Sequence, residues 1–195
     1  MRLLAVIKVA VWLGVSMLVT PAAHAQTTPQ RVALCASCHG ADGNATLNGM
    51  PSLAAQPALF LETQLVLIRE GIREIPSMAG MLNGFTDAEL TAIAAYYADK
   101  PLAAVPKDLD PVLFARGGEL AQGMRCGICH LPTYLGRDQI PRLAGQREDF
   151  LLHSLLQFRN GEASGRDSNM TAAVYGVSDD DLKAMSYFLS RVPAQ

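Results

Sequence analysis

Hydrophobic residues recur at helical spacing along much of the chain. Residues 57–70 and 146–160 both show this period, and a glycine follows each segment directly, as it follows many helices. Residues 29–34 and 111–120 each precede a pair of cysteines and are candidates for a first helix. No segment convincingly alternates apolar and polar positions as a half-buried strand does. The pattern therefore predicts an all-α fold.

Capping sequences predict two more helices. Thr86 with Glu89 three positions on has the pattern of a capping box, and Ser178 with Asp181 repeats it less ideally. Apolar positions at helical spacing follow both caps and predict the buried faces: Leu90, Ile93, Ala94 and Tyr97 after the first, and Leu182, Met185 and Leu189 after the second.

These helices belong to a repeat of about 90 residues. Pro51-Ser-Leu-Ala-Ala-Gln56 matches Pro141-Arg-Leu-Ala-Gly-Gln146, and the cysteine motifs and helix caps recur at nearly the same offset. Between the copies, residues 100–111 contain three prolines and have the composition of a linker. We therefore predict two domains, residues 26–103 and 104–195.

The first 25 residues have the pattern of a secretory signal peptide. A short basic segment precedes an apolar stretch at residues 9–19, and Ala23-His24-Ala25 supplies a cleavage site. The stretch is shorter than the roughly 20 residues of a membrane span, and Pro21 follows it, so cleavage is favoured over an uncleaved anchor. We expect an exported chain that begins at Gln26.

Composition excludes two broad classes of protein. Half of the residues are hydrophobic and 17% are charged, which is enough apolar material for a core and does not suit a disordered chain. Sixteen basic residues against eighteen acidic ones leave no positive excess to neutralise phosphates, so no nucleic-acid partner is expected.

Four cysteines form two similar motifs, each a Cys-x-x-Cys pair followed by a histidine. This spacing is the attachment signature of c-type haem, in which the thiols add to the vinyl groups and the histidine binds the iron. A disulfide needs no neighbouring histidine, a zinc ribbon would leave both histidines unexplained, and no βαβ pattern supports thioredoxin-like chemistry. We predict two covalently bound haem c groups, held by Cys35, Cys38 and His39 and by Cys126, Cys129 and His130.

The ligand on the far side of each iron decides between electron transfer and catalysis, since an iron with two axial protein ligands has no open position. Met78 and Met170 each lie eight residues before a helix cap, so the repeat selects the same methionine twice. A methionine is more often core filler, and Met81 is the second choice in the first module. His153 lies within a helix where the first module has Thr63, so an ordinary helix-face histidine is favoured over a ligand.

A proline follows each motif histidine: Pro51 follows His39 and Pro141 follows His130. A metal-binding histidine usually donates its other ring N–H to a carbonyl or carboxylate. The prolines mark places where the chain could return to accept that proton, although each proline could also simply end a loop.

Several segments together resemble the dihaem class I cytochromes c of the cytochrome c4 type. They are residues 117–124 before the second motif, Leu-Ala-x-Gln after each proline, and Met78-Ala-Gly-Met81-Leu. The resemblance covers nearly the whole mature chain. It implies two tandem class I cytochrome c domains, each wrapped around a covalently attached haem c. It further implies a pseudo-twofold between the domains, haem propionates that approach each other across the interface, and distal methionines at 78 and 170.

The resemblance also implies a function. The implied protein is a periplasmic electron carrier, not an enzyme, and in some cases it is associated with the membrane. It exchanges electrons by transient outer-sphere contact with a redox partner. The expected partners are a terminal oxidase or reductase, a quinol-oxidising complex or a dehydrogenase. Two alternatives stay open. One is a cytochrome subunit of a membrane dehydrogenase or oxidase complex. The other is a dihaem enzyme, such as a peroxidase or a thiosulfate-oxidising cytochrome, which needs an open or labile iron position.

Overall fold

The computed structural model describes residues 28–193, and the predicted signal peptide lies outside them. The only β feature in this part is an isolated bridge between Arg137 and Ile140, so the all-α prediction is confirmed. The helices are α1 Thr28–His39, α2 Ala58–Arg69, α3 Asp87–Ala98, α4 Pro111–Gly123, α5 Gly127–His130, α6 Glu148–Arg159, α7 Ser168–Ala173 and α8 Asp179–Arg191, with a 3-10 turn at Pro76–Met78.

The first module is built around α3, which packs against both α1 and α2. All four apolar positions predicted for the inner face of α3 are buried. Tyr97 at the end of this face is 1% exposed, and its hydroxyl donates to the Val32 carbonyl of α1 at 3.5 Å. The buried side chains of this core are Val32, Leu61, Leu82, Phe85, Leu90, Ile93, Ala94 and Tyr97.

The second module is built in the same way around α8, which packs against α4 and α6. The predicted inner face of α8 is confirmed, because Leu182, Met185 and Leu189 are all buried. Helices α4 and α8 approach closely at Gly117, where an ideal Cβ would lie 2.1 Å from the Ala184 carbonyl oxygen. The buried core side chains are Leu155, Phe158, Val174, Leu182 and Met185.

Both predicted helix caps are present. Thr86 Oγ1 accepts a hydrogen bond from the Glu89 N–H at 3.3 Å, and the Thr86 N–H donates to the Glu89 carboxylate at 2.8 Å. This completes the capping box of α3. Ser178 Oγ accepts from the Asp181 N–H at 3.2 Å and caps α8. The bond from the Thr86 backbone holds the pKa of Glu89 below its usual range.

Replacement of Thr86 by alanine is expected to lower the free energy of unfolding by about 1 kcal/mol, because the Glu89 N–H loses its acceptor. Chemical denaturation of the haem-loaded protein measures the change. Thr133→Ala, at an exposed turn position outside the helices, is the control and should change the free energy of unfolding by less than about 0.5 kcal/mol. Equal losses in the two variants would show that the cap has no particular role.

The two modules enter their cysteine motifs differently. In the first module α1 runs without interruption to His39, whereas α4 ends at Gly123 and α5 begins four residues later. Arg125 between them has a φ of 58°, which no helix can contain. The Met78 and Met170 segments also differ, since the first forms a 3-10 turn and the second forms α7. The hydrophobic pattern predicted neither short element.

The residue after each motif histidine has a positive φ, 82° for Gly40 and 68° for Leu131. An ideal Cβ on Gly40 would lie 2.6 Å from the Asn44 carbonyl oxygen, so the first turn requires glycine. The second turn holds a leucine in a backbone conformation that L residues rarely adopt. The two haem sites therefore differ in the turn that follows the proximal histidine.

A reciprocal pair of buried glutamines joins the modules. Gln146 accepts from the Ser52 N–H at 2.8 Å and donates to the Ser52 carbonyl at 2.9 Å. Gln56 accepts from the Arg142 N–H at 2.9 Å and donates to the Arg142 carbonyl at 3.1 Å. Because the two glutamines are equivalent positions of the repeat, and so are their two partners, the contact has the pseudo-twofold symmetry that the resemblance implied.

The segment between the modules, residues 101–110, contains no helix or strand. This agrees with its composition as a linker, while the domain boundary between residues 103 and 104 stays a prediction. No helix within residues 28–193 is long and apolar enough to cross a membrane.

Candidate functional site

The two motif histidines are held in the same way. His39 ends α1 and His130 ends α5, and both side chains are buried. His39 Nδ1 lies 2.9 Å from the Pro51 carbonyl oxygen, and His130 Nδ1 lies 2.9 Å from that of Pro141. A carbonyl can only accept, so Nδ1 carries the proton and Nε2 keeps a lone pair for a metal. Each proline carbonyl therefore accepts the ring N–H of its motif histidine, as the sequence analysis expected.

The protonation state of these histidines suits a metal ligand. Burial lowers the pKa of His39, and the hydrogen bond to Pro51 opposes this shift. The same two causes, with burial again the larger, lower the pKa of His130. Both imidazoles are therefore neutral at neutral pH, which is the form that binds iron.

The cysteines lie beside the histidines as half-buried or exposed thiols. Cys35 is one helical turn before His39 on α1, so both side chains lie on one face of the helix. Burial raises the pKa of the Cys35 and Cys126 thiols, unlike the lowered pKa of a redox-active cysteine. Within residues 28–193 no group of three or more His, Cys, Asp and Glu side chains could hold a metal ion, which gives a zinc site no support.

Each candidate distal methionine is half-buried at the edge of its module's core. Met78 ends the 3-10 turn, and both Met78 and Cys35 pack against the first core cluster. Met170 lies in α7 and packs against the second cluster together with Met124. Met81 is also half-buried, so exposure alone does not separate it from Met78. The two distal ligands stay predictions.

The residues present fit a haem in each module. Imidazole and thioether side chains are a known axial pair for haem iron, and the cysteines can form the thioether links. A haem bound there supplies one-electron exchange between Fe(III) and Fe(II). Half-buried apolar side chains beside each donor set offer a surface for its ring: Leu53, Phe60, Leu65, Val66 and Ile68 in the first module, and Leu120, Leu152, Leu156, Ala163 and Val177 in the second.

Two arginines supply positive charge without a carboxylate partner. Arg73 donates to Gln64 Oε1 at 2.6 Å, and Arg166 donates to Gln157 Oε1 at 3.3 Å while its guanidinium lies 4.0 Å from the centre of the Phe158 ring. Burial, followed by repulsion from Arg73, lowers the pKa of Arg166 to about 9. The ion pairs found within residues 28–193 include neither arginine. Haem propionates are anions that could neutralise such a pair.

His153 lies outside the site, and three residues that join the modules were not predicted from the sequence. His153 is exposed on α6, in agreement with an ordinary surface histidine. Gln56, Gln146 and Arg142 join the two modules through hydrogen bonds, a role that the helix pattern of the sequence does not predict. The sequence signal that could have indicated these contacts is the glutamine that recurs five residues after each proline, because a helix pattern does not explain it.

Comparisons with known proteins agree with this geometry. A family profile described as "Cytochrome C oxidase, cbb3-type, subunit III" matches residues 24–96. A cytochrome c4 of Pseudomonas aeruginosa is 33% identical over 187 residues, which cover 91% of this chain and 92% of the relative. The crystal structure of reduced recombinant cytochrome c4 from Pseudomonas stutzeri matches with a TM-score of 0.79 at 30% identity, covering 85% of this chain and 97% of that chain. A thiosulfate dehydrogenase electron acceptor of Thiomonas intermedia is 29% identical, covering 93% and 88%.

Two helical modules, each with a carbonyl-bonded histidine beside a cysteine pair, define the class of dihaem c-type cytochromes. The chain belongs to the cytochrome c4 family. It is an electron-transfer protein with two covalently bound haem c groups, so the predicted fold class and cofactors are confirmed.

Proposed function

We propose that the protein carries electrons between periplasmic redox partners, with His39 and Met78 on one iron and His130 and Met170 on the other. The observation that carries the proposal is the histidine–carbonyl bond, which has the same length in both modules. Each bond fixes the orientation and tautomer of one imidazole, so both proximal ligands are positioned by the fold.

In this proposal His39 and Met78 would hold one iron and His130 and Met170 the other, and this ligand set would leave no open position for a substrate. Haem held by an unchanged set of ligands would supply one-electron exchange with little rearrangement of the chain. Cys35, Cys38, Cys126 and Cys129 hold the cofactors covalently, and the half-buried apolar side chains exclude water. A dihaem enzyme, which needs an open iron, is disfavoured by a methionine at both equivalent positions.

A respiratory oxidase is the proposed electron acceptor. The match of residues 24–96 to a profile of a cytochrome oxidase subunit supports an oxidase-linked role. The same match is also compatible with the alternative that the protein is a permanent subunit of a membrane dehydrogenase or oxidase complex. Co-purification with a larger membrane partner after mild detergent extraction would favour the subunit, whereas recovery in the soluble periplasmic fraction would favour a free carrier.

A thiosulfate dehydrogenase is a second candidate partner, as electron donor. The Thiomonas relative, which covers most of this chain, is named as an electron acceptor of that enzyme. In that role the protein would receive electrons and would not itself bind thiosulfate. Exchange with either partner is proposed to be transient, through a small contact surface.

Two mixing experiments test the proposal. In the first, the oxidised, haem-loaded protein is mixed with a thiosulfate dehydrogenase and thiosulfate. In the second, the reduced protein is mixed with oxidase-containing membranes. The haem absorption bands report reduction or reoxidation in each case. Omission of the enzyme or the membranes is the control. Reoxidation by membranes that an oxidase inhibitor abolishes supports the respiratory role. A protein that exchanges electrons with neither partner contradicts the proposed function.

A further inference from the structure

The two cysteine motifs present different side chains to solvent. Residues two positions apart on a helix point to nearly opposite sides. Since both motif histidines are buried, the residue two positions before each of them points outward. The exposed residues that occupy equivalent positions of the repeat form two surfaces. The first-motif surface consists of Leu34, Ser37 and Cys38, and the second-motif surface consists of Arg125, Ile128 and Cys129.

The two surfaces differ in charge and in apolar exposure. Residues 32–41, which contain the first motif, include no Asp, Glu, Lys or Arg, whereas Arg125 is the only such residue within residues 120–136. Ile128 is 68% exposed, and the residue at its place in the first module is Ser37. The Ile128 N–H donates to the Arg125 carbonyl at 3.0 Å, so the exposed apolar side chain and the cation lie in one turn.

Arg125 occupies a position that favours glycine. The Cys126 N–H donates to the Ala121 carbonyl at 3.0 Å, and the Arg125 N–H donates to the Gln122 carbonyl at 2.9 Å. These two bonds form the Schellman turn that ends α4, and Arg125 holds its positive φ of 58°. A side chain at such a φ costs free energy that glycine does not.

Nothing within the described part of the chain compensates for that cost. The Arg125 side chain is exposed, and it forms no hydrogen bond or ion pair with residues 28–193. A strained position that carries a charge without an internal partner indicates a role outside the folded chain.

We propose that the second-motif surface docks a redox protein whose contact surface has carboxylates around an apolar centre. Ile128 supplies the apolar contact, and Arg125 attracts the carboxylates. Cys129 is exposed and would hold a haem edge beside this contact. The uncharged first-motif surface does not fit such a partner. The inference rests on the proposed function and names the chemistry of one partner.

The test compares Arg125→Gln, which removes the charge and keeps a side chain, with Arg125→Lys, which keeps the charge. Lys107→Gln is the matched control, because it removes an exposed cation beyond the other end of α4. That helix has 13 residues and is about 20 Å long. Reduction of the holoprotein by a thiosulfate dehydrogenase and its reoxidation by oxidase-containing membranes are each timed at low and high ionic strength.

In one of these two reactions we expect Arg125→Gln to be about threefold slower than the unmodified protein at low ionic strength. The difference should vanish at about 1 M salt, where the Debye length is only about 3 Å. Arg125→Lys and Lys107→Gln should retain the rate of the unmodified protein. Ile128→Ser should slow the same reaction at both ionic strengths, because salt does not screen an apolar contact.

Arg125→Gly separates docking from stability. Glycine adopts the positive φ without strain, so this variant should unfold at a higher denaturant concentration than the unmodified protein. It should nevertheless show the same slow reaction at low ionic strength as Arg125→Gln. A lower denaturation midpoint in Arg125→Gly would show that the arginine stabilises the fold and would contradict a role in docking alone.

Equal rates for Arg125→Gln and Lys107→Gln at low ionic strength, in both reactions, would overturn the proposal. An unmodified protein that reacts with neither partner would contradict the proposed function instead. The docking surface is then tested by voltammetry on a gold electrode coated with carboxylate- and methyl-terminated thiols. Arg125→Gln should adsorb about threefold more weakly than Lys107→Gln at low ionic strength, and equal adsorption would reject the second-motif surface.

Discussion

Replacement of Met170 by alanine is expected to turn the second haem into a ligand-binding site. The iron would lose its distal thioether and keep His130, so carbon monoxide could bind it in the reduced state. The weak far-red absorption band of Fe(III)–methionine bonding should fall to half, because one of two such bonds is removed. The potential of the altered haem should also decrease, since thioether ligation raises it. Absorption spectroscopy with and without carbon monoxide measures the first two effects.

Met124→Ala is the matched control for this variant. Met124 packs against the same core cluster as Met170 and is also half-buried, so both substitutions remove similar apolar contacts. Met124→Ala should leave the far-red band intact and bind no carbon monoxide. An intact band in Met170→Ala would mean that another side chain is the ligand. In the first module, the same comparison between Met78→Ala and Met81→Ala assigns the distal methionine.

Gly117→Ala is expected to give the largest loss of stability, at least about 2 kcal/mol in the free energy of unfolding. A Cβ at position 117 would lie 2.1 Å from the Ala184 carbonyl oxygen and 2.6 Å from Phe188 Cβ. Neither neighbour can rotate away, so α4 and α8 would have to separate and expose core surface. Denaturant titration of the holoprotein, followed by circular dichroism, measures the change.

Gly118→Ala makes the same substitution one position along α4. Its Cβ would meet only the edge of the Phe188 ring, 3.2 Å from Cε2, and the ring can shift. The gain in helix propensity from glycine to alanine, about 1 kcal/mol, offsets that contact, so little net change is expected. Similar losses in both variants would show that close packing of α4 on α8 is not what Gly117 provides.

Local sequence patterns predicted the features that depend on neighbouring residues. The α3 cap needs only a threonine and a glutamate three positions apart, and its buried face needs only apolar residues at helical spacing. Both appear in the structure as expected. The histidine–proline pairing was foreseen because the repeat places a proline at nearly the same distance after each motif histidine. The distal methionines were selected from the same repeat and stay predictions.

Contacts between distant segments could not be foreseen in this way. The bonds of Gln146 to Ser52 and of Gln56 to Arg142 join residues about 90 positions apart, and no local pattern specifies them. Burial of Arg142 contradicts the ordinary tendency of arginine to remain exposed, so its sequence position gave no reason to expect it. The break at Arg125 was missed because the helix ends in a Schellman turn without the usual glycine: the Cys126 N–H donates to the Ala121 carbonyl at 3.0 Å, and Arg125 takes the positive φ that glycine normally supplies.

The central claim is that protein side chains occupy both axial positions of both irons. Its most direct test is to expose the unmodified, reduced holoprotein to carbon monoxide while the haem absorption bands are recorded. No spectral change is expected, because neither iron would have a free position for the gas. Rapid formation of a carbon monoxide complex at either haem would contradict the claim and would favour a catalytic role.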